Sequence, residues 1–223
     1  MPTLAVLPMK GFARAKQRLS GEVSSAPRRA LAEAMFADVL IALRRCPAVD
    51  ATIVVTRDLS AQRLAGGHGA DVVTDRDESG QSAAASIGAR AAAERGADRV
   101  VLVPGDVPVL DPAELEQLLG RRRVAGADAL IVPDRHGTGT NALVLAPPDA
   151  LLPAFGPDSL DRHVERARGA GVGHEVVSVN SLALDVDTPD DLAVLRERFQ
   201  ATRGGAAHTR GFLHRLAKSA ATV

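Results

Sequence analysis

Short apolar runs alternate along the chain with longer segments whose apolar residues recur at helical spacing. The runs predict strands and the longer segments predict helices. The predicted strands lie at residues 3–7, 52–56, 71–73, 99–103, 128–132, 141–146, 174–179 and 182–186. The predicted helices lie at roughly residues 27–45, 59–66, 81–95, 112–122, 158–168 and 190–200.

Several of the predicted helices have features that support them. The first has an apolar stripe that consists of Leu31, Met35, Val39 and Leu43. Two later helices begin with an N-cap residue followed by proline, at Asp111–Pro112 and Thr188–Pro189. Segment 81–95 is rich in alanine and has few large side chains, which predicts close packing on a sheet or a nucleotide.

The alternation of elements predicts the fold class. Strands that are apolar throughout and alternate with helices indicate an α/β fold, with a mainly parallel sheet covered by helices on both faces. The runs 128–132 and 141–146, joined by "PDRHGTGT", predict a hairpin or an edge ribbon. We expect one domain over residues 1–200. Residues 201–223 predict a flexible C-terminal tail, with a short docked helix around residues 212–217 as the alternative.

The composition excludes several classes of function. The 27 basic and 27 acidic residues give a net charge of zero, which argues against nucleic-acid binding. The absence of Trp and Tyr argues against the stacking of bases on aromatic side chains. Cys46 is the only cysteine, so neither an internal disulfide nor a thiolate zinc cluster can form. With no signal-peptide pattern and no long apolar run, we expect a cytoplasmic protein with neither a membrane nor nucleic acid as partner.

A basic loop follows the first predicted strand. The segment "PMKGFARAKQRL" places Lys10, Arg14, Lys16 and Arg18 in one loop without a compensating acid. Gly11 lets the backbone approach a ligand, and several cations suit the several negative charges of a triphosphate. The segment matches neither the phosphate-binding loop GxxxxGK[ST] nor the dinucleotide motif GxGxxG. The alternative is a basic loop that is only solvated.

Three aspartates follow predicted strands, at the sheet edge where ligands of open α/β folds bind. Asp106 lies in the turn "PGDVP", and Asp111 already serves as the next N-cap. Asp185 and Asp187 are two positions apart, so an extended strand places both on one face. Carboxylates on a buried strand need a cation, and one or two carboxylates with substrate phosphates commonly hold Mg²⁺. The alternative is that Asp106 caps a turn and Asp187 caps a helix.

Two glycine-rich segments offer backbone amides and hydroxyls to an anion. "RHGTGTN" contains Thr138 and Thr140, and "FGPDSLDRH" contains Gly156 and Ser159 where a helix begins. A Gly-Pro turn with Asp158 or Ser159 as N-cap is the simpler explanation of the second segment. The chain has no GxSxG or HExxH motif and no Ser-His-Asp order. Phosphoryl and nucleotidyl transfer need none of these, because they depend on positioning and charge neutralisation.

Five segments together resemble one family, the guanylyltransferases of deazaflavin coenzyme (factor 420) biosynthesis, which act on phosphoenolpyruvate or 2-phospho-L-lactate. The segments are "LPMKGFARAKQRLS", "VPGDVPVL", "DRHGTGTNALVL", "FGPDSLDRHVERA" and "LDVDTPDDL". They occur in the family's order from residue 4 to about residue 199. The resemblance implies a Rossmann-like nucleotidyltransferase fold, GTP as donor substrate and Mg²⁺ as cofactor.

The resemblance also implies roles for individual residues. The implied metal ligands are Asp106 and Asp185, with Asp187 close by. The residues implied to bind the nucleotide are Lys10, Gly11, Lys16, Arg18 and Ser82. Those implied to bind the phosphate and carboxylate of the acceptor are Thr140, Gly156 and Ser159. The residues implied to take part in catalysis are Lys10, Lys16 and Asp106.

One segment departs from the family pattern. Members often have Leu-Asn-Ala at the start of the third helix, where this chain has Gln81 and Ser82. Ser82 is expected beside the nucleotide base, where it offers fewer hydrogen bonds than Asn.

The segments "FGPDS" and "GTGT" resemble the branch of the family that uses phosphoenolpyruvate. We therefore expect transfer of GMP from GTP to the phosphate of phosphoenolpyruvate, which releases pyrophosphate and gives enolpyruvyl-diphospho-guanosine. The transferase that uses this product is an expected partner. The alternatives are the same reaction with 2-phospho-L-lactate, a nucleotidyltransferase of the molybdenum-cofactor or sugar-phosphate type, and a catalytically silent nucleotide-binding domain.

Overall fold

The computed structural model describes residues 1–12, 15–21, 23–77, 80–121 and 127–220. The strands are β1 Thr3–Pro8, β2 Ala51–Val55, β3 Asp71–Val73, β4 Arg99–Leu102, β5 Ala127–Pro133, β6 Thr140–Leu145 and β7 Gly173–Val176. The helices are α1 Ser25–Arg45, α2 Leu59–Gly67, α3 Gln81–Glu94, α4 Pro112–Gly120, α5 Ser159–Gly169, α6 Pro189–Ala201 and α7 Ala207–Ala220. None of the helices in these ranges is long and apolar enough to cross a membrane.

The seven strands form one mainly parallel sheet in the order β3-β2-β1-β4-β6-β5-β7. Strand β6 is the exception, because it runs antiparallel to both of its neighbours, β4 and β5. The pair β5–β6 is the predicted hairpin, while β7 returns parallel to β5. The predicted α/β class is therefore confirmed, and the carboxyl ends of β1, β2, β3 and β4 lie at one edge.

Both faces of the sheet are buried, as alternate residues of β1 show. Ala5 and Leu7 pack in a cluster with side chains of α1, α2 and α4, whereas Leu4 and Val6 pack with side chains of α3 and α5. A strand with apolar side chains on both faces is stable only between two layers of helices. A third cluster joins α1 to α6 and α7 through Leu31, Met35, Leu195 and Leu213, among others.

Helix α3 lies unusually close to the sheet, as its alanine-rich sequence predicts. A Cβ atom built on Gly88 would lie 2.2 Å from Val6 Cγ1 and 2.9 Å from Val55 Cγ2. Only a residue without a side chain fits at that point. Because α3 follows the parallel strand β3 along the chain, its N-terminal turn lies at the carboxyl edge of the sheet.

The predicted strand at residues 182–186 is wrong. The segment pairs with no strand among the described residues, and Val186 N–H instead donates to the carbonyl of Asp106 at 3.1 Å. Its alternation has another cause, since Leu182, Leu184 and Val186 are fully buried against the helices. Alternating apolar residues indicate that one side of an extended segment is buried. The segment can be extended and buried in this way without pairing with a strand.

Residues 207–220 form helix α7 where the sequence analysis expects a flexible tail. The Asp38 carboxylate on α1 accepts hydrogen bonds from His208 N–H at 3.0 Å, Thr209 N–H at 2.8 Å and the Thr209 hydroxyl at 2.6 Å. Thr209 is fully buried, and the guanidinium of Arg210 stacks 4.0 Å from the ring centre of Phe199. The docked helix, which the sequence left as the alternative, is thus held by a carboxylate about 170 residues earlier in the chain.

Candidate active site

A cleft of about 780 Å³ opens at the carboxyl edge of the sheet. Its lining combines the loop after β1, the residues that follow β2, β3 and β4, and the start of α3. The polar side chains in this lining include Lys10, Lys16, Asp58, Asp75, Gln81, Asp106 and Asp187. A cleft at this edge is where open α/β sheets bind their ligands.

Lys16 connects two acidic loops of the cleft. Its Nζ lies 2.5 Å from Asp106 Oδ2 and 2.7 Å from Asp187 Oδ1, and its side chain is only 6% exposed. Burial lowers the pKa of the Lys16 ammonium, but the attraction of Asp106 and Asp187 outweighs burial and raises the pKa above its usual value. Lys16 therefore stays charged. Its backbone is left-handed, with φ of 57°, which costs about 1 kcal/mol for a residue with a side chain.

The two acidic loops are fixed beside each other by backbone bonding. The bond from Val186 N–H to the Asp106 carbonyl, at 3.1 Å, joins the turn after β4 to the segment before α6. Asp187 is not needed as a cap, because Thr188 and Asp191 form a reciprocal capping box at the start of α6. Asp111 caps α4 by accepting from Ala113 N–H at 2.8 Å, as predicted. Asp106 and Asp187 are therefore left for the cleft.

Asp185 is close enough to Asp106 and Asp187 to feel their charge, is half-buried, and is not among the described residues that line the cleft. Its Oδ1 accepts a hydrogen bond from Asn141 Nδ2 at 3.1 Å, and Asn141 also donates to the carbonyl of Leu182 at 2.8 Å. Burial and, to a smaller extent, the nearby charge of Asp106 together raise the pKa of Asp185 to about 6, although the hydrogen bond from Asn141 acts in the opposite direction. Three aspartates with one lysine leave a local excess of negative charge, which a cation would neutralise.

The carboxylates beside Lys16 offer oxygen ligands of the kind that Mg²⁺ binds, but they would need substrate oxygens and water to complete its coordination. Asp106 Oδ1 is buried and has no hydrogen-bond partner among the described residues, so one carboxylate oxygen is available. In the same part of the chain, no group of three or more His, Cys, Asp or Glu side chains is arranged to hold a metal by itself. Mg²⁺ does not require such a cage, because one or two carboxylates, waters and phosphate oxygens form its usual coordination sphere.

Two other residues of the basic loop, Lys10 and Gly11, line the cleft. Lys10 is exposed, and Gly11 lines the cleft beside Asp58. Arg18 is exposed in a 3₁₀ turn, Gln17–Leu19. Arg14 lies outside the described residues. The predicted contacts of Lys10, Gly11 and Arg18 with nucleotide phosphates stay predictions.

The proposed acceptor residue Thr140 is tied to a buried histidine. Ala154 N–H donates to His163 Nε2 at 2.8 Å, so this nitrogen carries no proton and Nδ1 carries it. His163 Nδ1 lies 3.0 Å from Thr140 Oγ1, which therefore accepts, and the Thr140 hydroxyl proton remains to be donated elsewhere. Burial lowers the pKa of His163 to about 4, so the ring is neutral near pH 7.

Gly156 lies on the loop that leads into α5, close to the start of α3, and Ser159 is the first residue of α5. Gly156 has φ of 115° and Ser159 is buried. The hydroxyl of Ser82 donates to the carbonyl of Phe155 at 3.3 Å, which joins the two segments. At the start of α3 the cleft itself is lined by Gly80 and Gln81. The structure thus gives Ser82 a contact with this loop, while its predicted contact with the base stays a prediction.

Asn141 and Asp58 are among the residues of the site that were not found from the sequence. Asn141 is the neighbour of Thr140 and holds Asp185, and its position directly after a glycine-rich loop was the available signal. Asp58 caps α2 and also accepts from Phe12 N–H at 3.0 Å, which fixes the basic loop. In the sequence, Asp58 resembles an ordinary N-cap residue, and no neighbouring residue indicates its hydrogen bond with Phe12 N–H.

Comparison with known proteins identifies the family. The model of the family described as "Guanylyl transferase CofC like" matches residues 3–221. The chain belongs to this family. It is 52% identical to the phosphoenolpyruvate guanylyltransferase of Conexibacter woesei, over 98% of both chains. Among more distant relatives of this guanylyl transferase family, the 2-phospho-L-lactate guanylyltransferase of Methanothermobacter thermautotrophicus is 32% identical, over 97% of this chain and 92% of that protein.

Other comparisons extend the range of acceptors and support the fold. The 3-phospho-D-glycerate guanylyltransferase of Phenylobacterium zucineum is 38% identical, over 84% of this chain and 86% of that protein. A solved nucleotidyl transferase from the genus Methanothermobacter superposes with a TM-score of 0.65 at 21% identity, over 91% of this chain and 99% of that one. At that identity the likeness shows the fold alone. This guanylyl transferase family member therefore has the nucleotidyltransferase fold that the sequence predicts.

Proposed function

We propose that this protein transfers the GMP unit of GTP to the phosphate of phosphoenolpyruvate. The observation that carries the proposal is the cluster of Lys16, Asp106 and Asp187 in a cleft at the carboxyl edge of the sheet. The identity of 52% to a relative named phosphoenolpyruvate guanylyltransferase supports this acceptor. The second candidate acceptor is 2-phospho-L-lactate, which the name of a more distant relative gives, at 32% identity.

The reaction requires positioning and charge neutralisation more than a protein nucleophile. An oxygen of the acceptor phosphate bonds to the α-phosphorus of GTP, and the bond from this phosphorus to the oxygen that bridges to the β-phosphate breaks. Pyrophosphate leaves with the bridging oxygen, and the product is enolpyruvyl-diphospho-guanosine. The acceptor phosphate is already ionised at neutral pH, so no general base is needed.

Asp106 and Asp185 would hold Mg²⁺, with Asp187 beside them. The metal, when bound, supplies positive charge that offsets the charge of the phosphates. The unpartnered Oδ1 of Asp106 supports this assignment. Lys16, together with Lys10 and Arg18, would supply positive charge to offset the charge of the departing pyrophosphate.

The acceptor would bind beside the cleft, at Thr140, Gly156 and Ser159. The Thr140 oxygen accepts a hydrogen bond from Nδ1–H of His163. The hydroxyl proton of Thr140 is therefore available for donation to an anion. The product is an activated diphosphate, so a downstream transferase that consumes it is the expected partner. A cytoplasmic location is part of the same proposal.

The choice of nucleotide tests the donor half of the proposal. The protein is incubated with phosphoenolpyruvate, Mg²⁺ and one of GTP, ATP, CTP or UTP, with the downstream transferase supplied, and pyrophosphate release is measured. We expect the fastest release with GTP and none with EDTA. Equal release with CTP or UTP would indicate a different nucleotidyltransferase. GTP binding without release from any nucleotide would indicate a silent nucleotide-binding domain.

A further inference from the structure

The guanidinium of Arg162 has an unpaired edge beside the acceptor loop. Its Nε and Nη2 atoms are both buried, and neither has a hydrogen-bond partner among the described residues. Buried donors without acceptors are rare in folded proteins and are costly, more so when the group is charged. Such a group needs an explanation, and a bound anion is the simplest one.

The two unpaired atoms form one recognition surface. The N–H bonds of Nε and Nη2 are parallel and make the side-on fork with which arginine binds two oxygens of a carboxylate or phosphate. A guanidinium whose lone unpaired N–H groups pointed in different directions would not match a single ligand. In Arg162 the unpaired atoms are Nε and Nη2, and these two atoms together can bind both oxygens of one planar carboxylate.

The position of Arg162 links it to the acceptor. Its Nη2 lies 3.2 Å from the point that a Cβ atom of Gly156 would occupy, and Ser159 lies one helical turn before it on α5. Both neighbours are residues that we place at the acceptor. None of Thr140, Gly156 and Ser159 carries a positive charge, so the described acceptor residues supply no cation of their own.

The acceptors named for the relatives share the chemistry that this fork recognises. Phosphoenolpyruvate, 2-phospho-L-lactate and 3-phospho-D-glycerate each have one phosphate ester and one carboxylate. In the proposed reaction the phosphate attacks the α-phosphorus of GTP, so the carboxylate is the group that can serve as a fixed anchor.

We propose that Arg162 binds the carboxylate of the acceptor through Nε–H and Nη2–H. This inference rests on the proposed function, since it names the partner of the acceptor's second anion. Because both atoms are buried, residues 155–158 must shift, or the guanidinium must turn, to admit the carboxylate. Gly156 has φ of 115°, which glycine adopts freely, whereas Asp158 has the left-handed φ of 52°, which is strained for a residue with a side chain. Strain of this kind is common at ligand-binding loops.

Kinetics of Arg162→Gln test the inference. We expect KM for phosphoenolpyruvate to rise by about tenfold to a hundredfold, since a bidentate charged contact is lost, while KM for GTP changes less than about twofold. Arg162→Lys keeps the charge without the fork and should fall between. Arg168→Gln, an exposed arginine on the same helix, is the matched control and should behave as the wild type.

A substrate without the carboxylate separates binding from a structural role. With vinyl phosphate, the wild type and Arg162→Gln should have the same kcat/KM, because the contact is absent in both. An equal loss with both acceptors, or no loss with phosphoenolpyruvate, would overturn the inference. The Tm of ligand-free Arg162→Gln should equal or exceed that of the wild type, because an unpaired buried cation is removed.

Calorimetric titration with phosphoenolpyruvate distinguishes failure of this inference from failure of the proposed function. If the wild type binds phosphoenolpyruvate and Arg162→Gln binds it at least about tenfold more weakly, the inference holds even when no pyrophosphate is released, and the proposed function fails alone. If both proteins bind equally, or the wild type does not bind it, the inference is wrong.

Discussion

At the scale of single residues, the site depends on which polar groups are already used by the fold. The N-termini of α4 and α6 are capped by Asp111, Thr188 and Asp191. The side chains of Asp106 and Asp187 are therefore not needed as helix caps, and both pair with Lys16. This division could be predicted in part from sequence, because Asp111–Pro112 and Thr188–Pro189 are recognisable helix starts. The ion pairs of Lys16 could not be predicted, because Asp106 is 90 residues from Lys16 along the chain and Asp187 is 171 residues from it.

Asp106→Asn tests the acidic cluster. The substitution removes a metal ligand and a partner of Lys16, so we expect turnover to fall by at least about 100-fold. The far-UV circular dichroism and Tm should change little, because Lys16 keeps Asp187 as a charged partner and the Asn oxygen can still accept its hydrogen bond. Asp111→Asn is the control, since Asn caps a helix as well as Asp does. Near-normal turnover of Asp106→Asn would remove Asp106 from the site.

The buried His163 predicts a pH dependence of stability. Its folded pKa of about 4 lies below the ordinary value of 6.5, so the unfolded chain binds the extra proton between these values. Stability is therefore complete above pH 6.5 and falls as the pH drops toward 4, by about 2–3 kcal/mol for this group.

Urea unfolding of wild type and His163→Gln, followed by far-UV circular dichroism at pH 7 and pH 4.5, measures the effect of His163. We expect the variant to be less stable at pH 7 and to lose less stability on acidification. An identical loss in both proteins would show that His163 does not titrate as described.

At the scale of elements, hydrophobic pattern predicted the strands and helices well where burial and hydrogen bonding coincide. Strand β1 and helix α1 are examples, because their apolar residues are buried in regular structure. Residues 182–186 show where the pattern misleads. Their side chains alternate between buried and less buried positions, yet the backbone bonds to the loop after β4 and not to a strand. The periodicity of apolar residues indicates which side chains are buried. Whether the segment pairs as a strand depends on residues elsewhere in the chain.

Gly88→Ala tests how closely α3 packs on the sheet. Alanine is the better helix former by about 1 kcal/mol, but its Cβ would meet Val6 and Val55 at 2.2 Å and 2.9 Å. We expect the overpacking to dominate and the free energy of unfolding to fall by about 1–3 kcal/mol in urea titrations.

Gly66→Ala on α2 is the matched control, because a Cβ there meets no atom within 4 Å. It should be neutral or slightly stabilising. Equal stability of the two variants would mean that α3 can move away from the sheet at no cost.

At the scale of the whole molecule, the C-terminal segment is part of the fold. Its composition resembles a mobile tail, but Asp38 on α1 satisfies the first backbone amides of α7, and Leu213 completes the cluster between α1 and α6. A long-range cap of this kind leaves no local signal, which is why the sequence favoured a tail. The general plan of the sheet was predictable, because alternating strands and helices admit few arrangements.

Asp38→Ala tests the attachment of α7. The change leaves the amides of His208 and Thr209 and the Thr209 hydroxyl without their acceptor, which costs about 1–3 kcal/mol when donors are buried. We expect faster tryptic cleavage after Arg203 and Arg210 and faster amide exchange in α7. Unchanged cleavage would show that apolar contacts hold the helix without the cap.

The most direct test of the proposed function compares acceptors. The protein is given GTP and Mg²⁺ with either phosphoenolpyruvate or 2-phospho-L-lactate, the downstream transferase is supplied, and pyrophosphate release is measured. We predict rapid release with phosphoenolpyruvate and much slower release with 2-phospho-L-lactate. Release with 2-phospho-L-lactate alone would contradict the choice of acceptor, and release with neither, despite GTP binding, would contradict the proposed reaction.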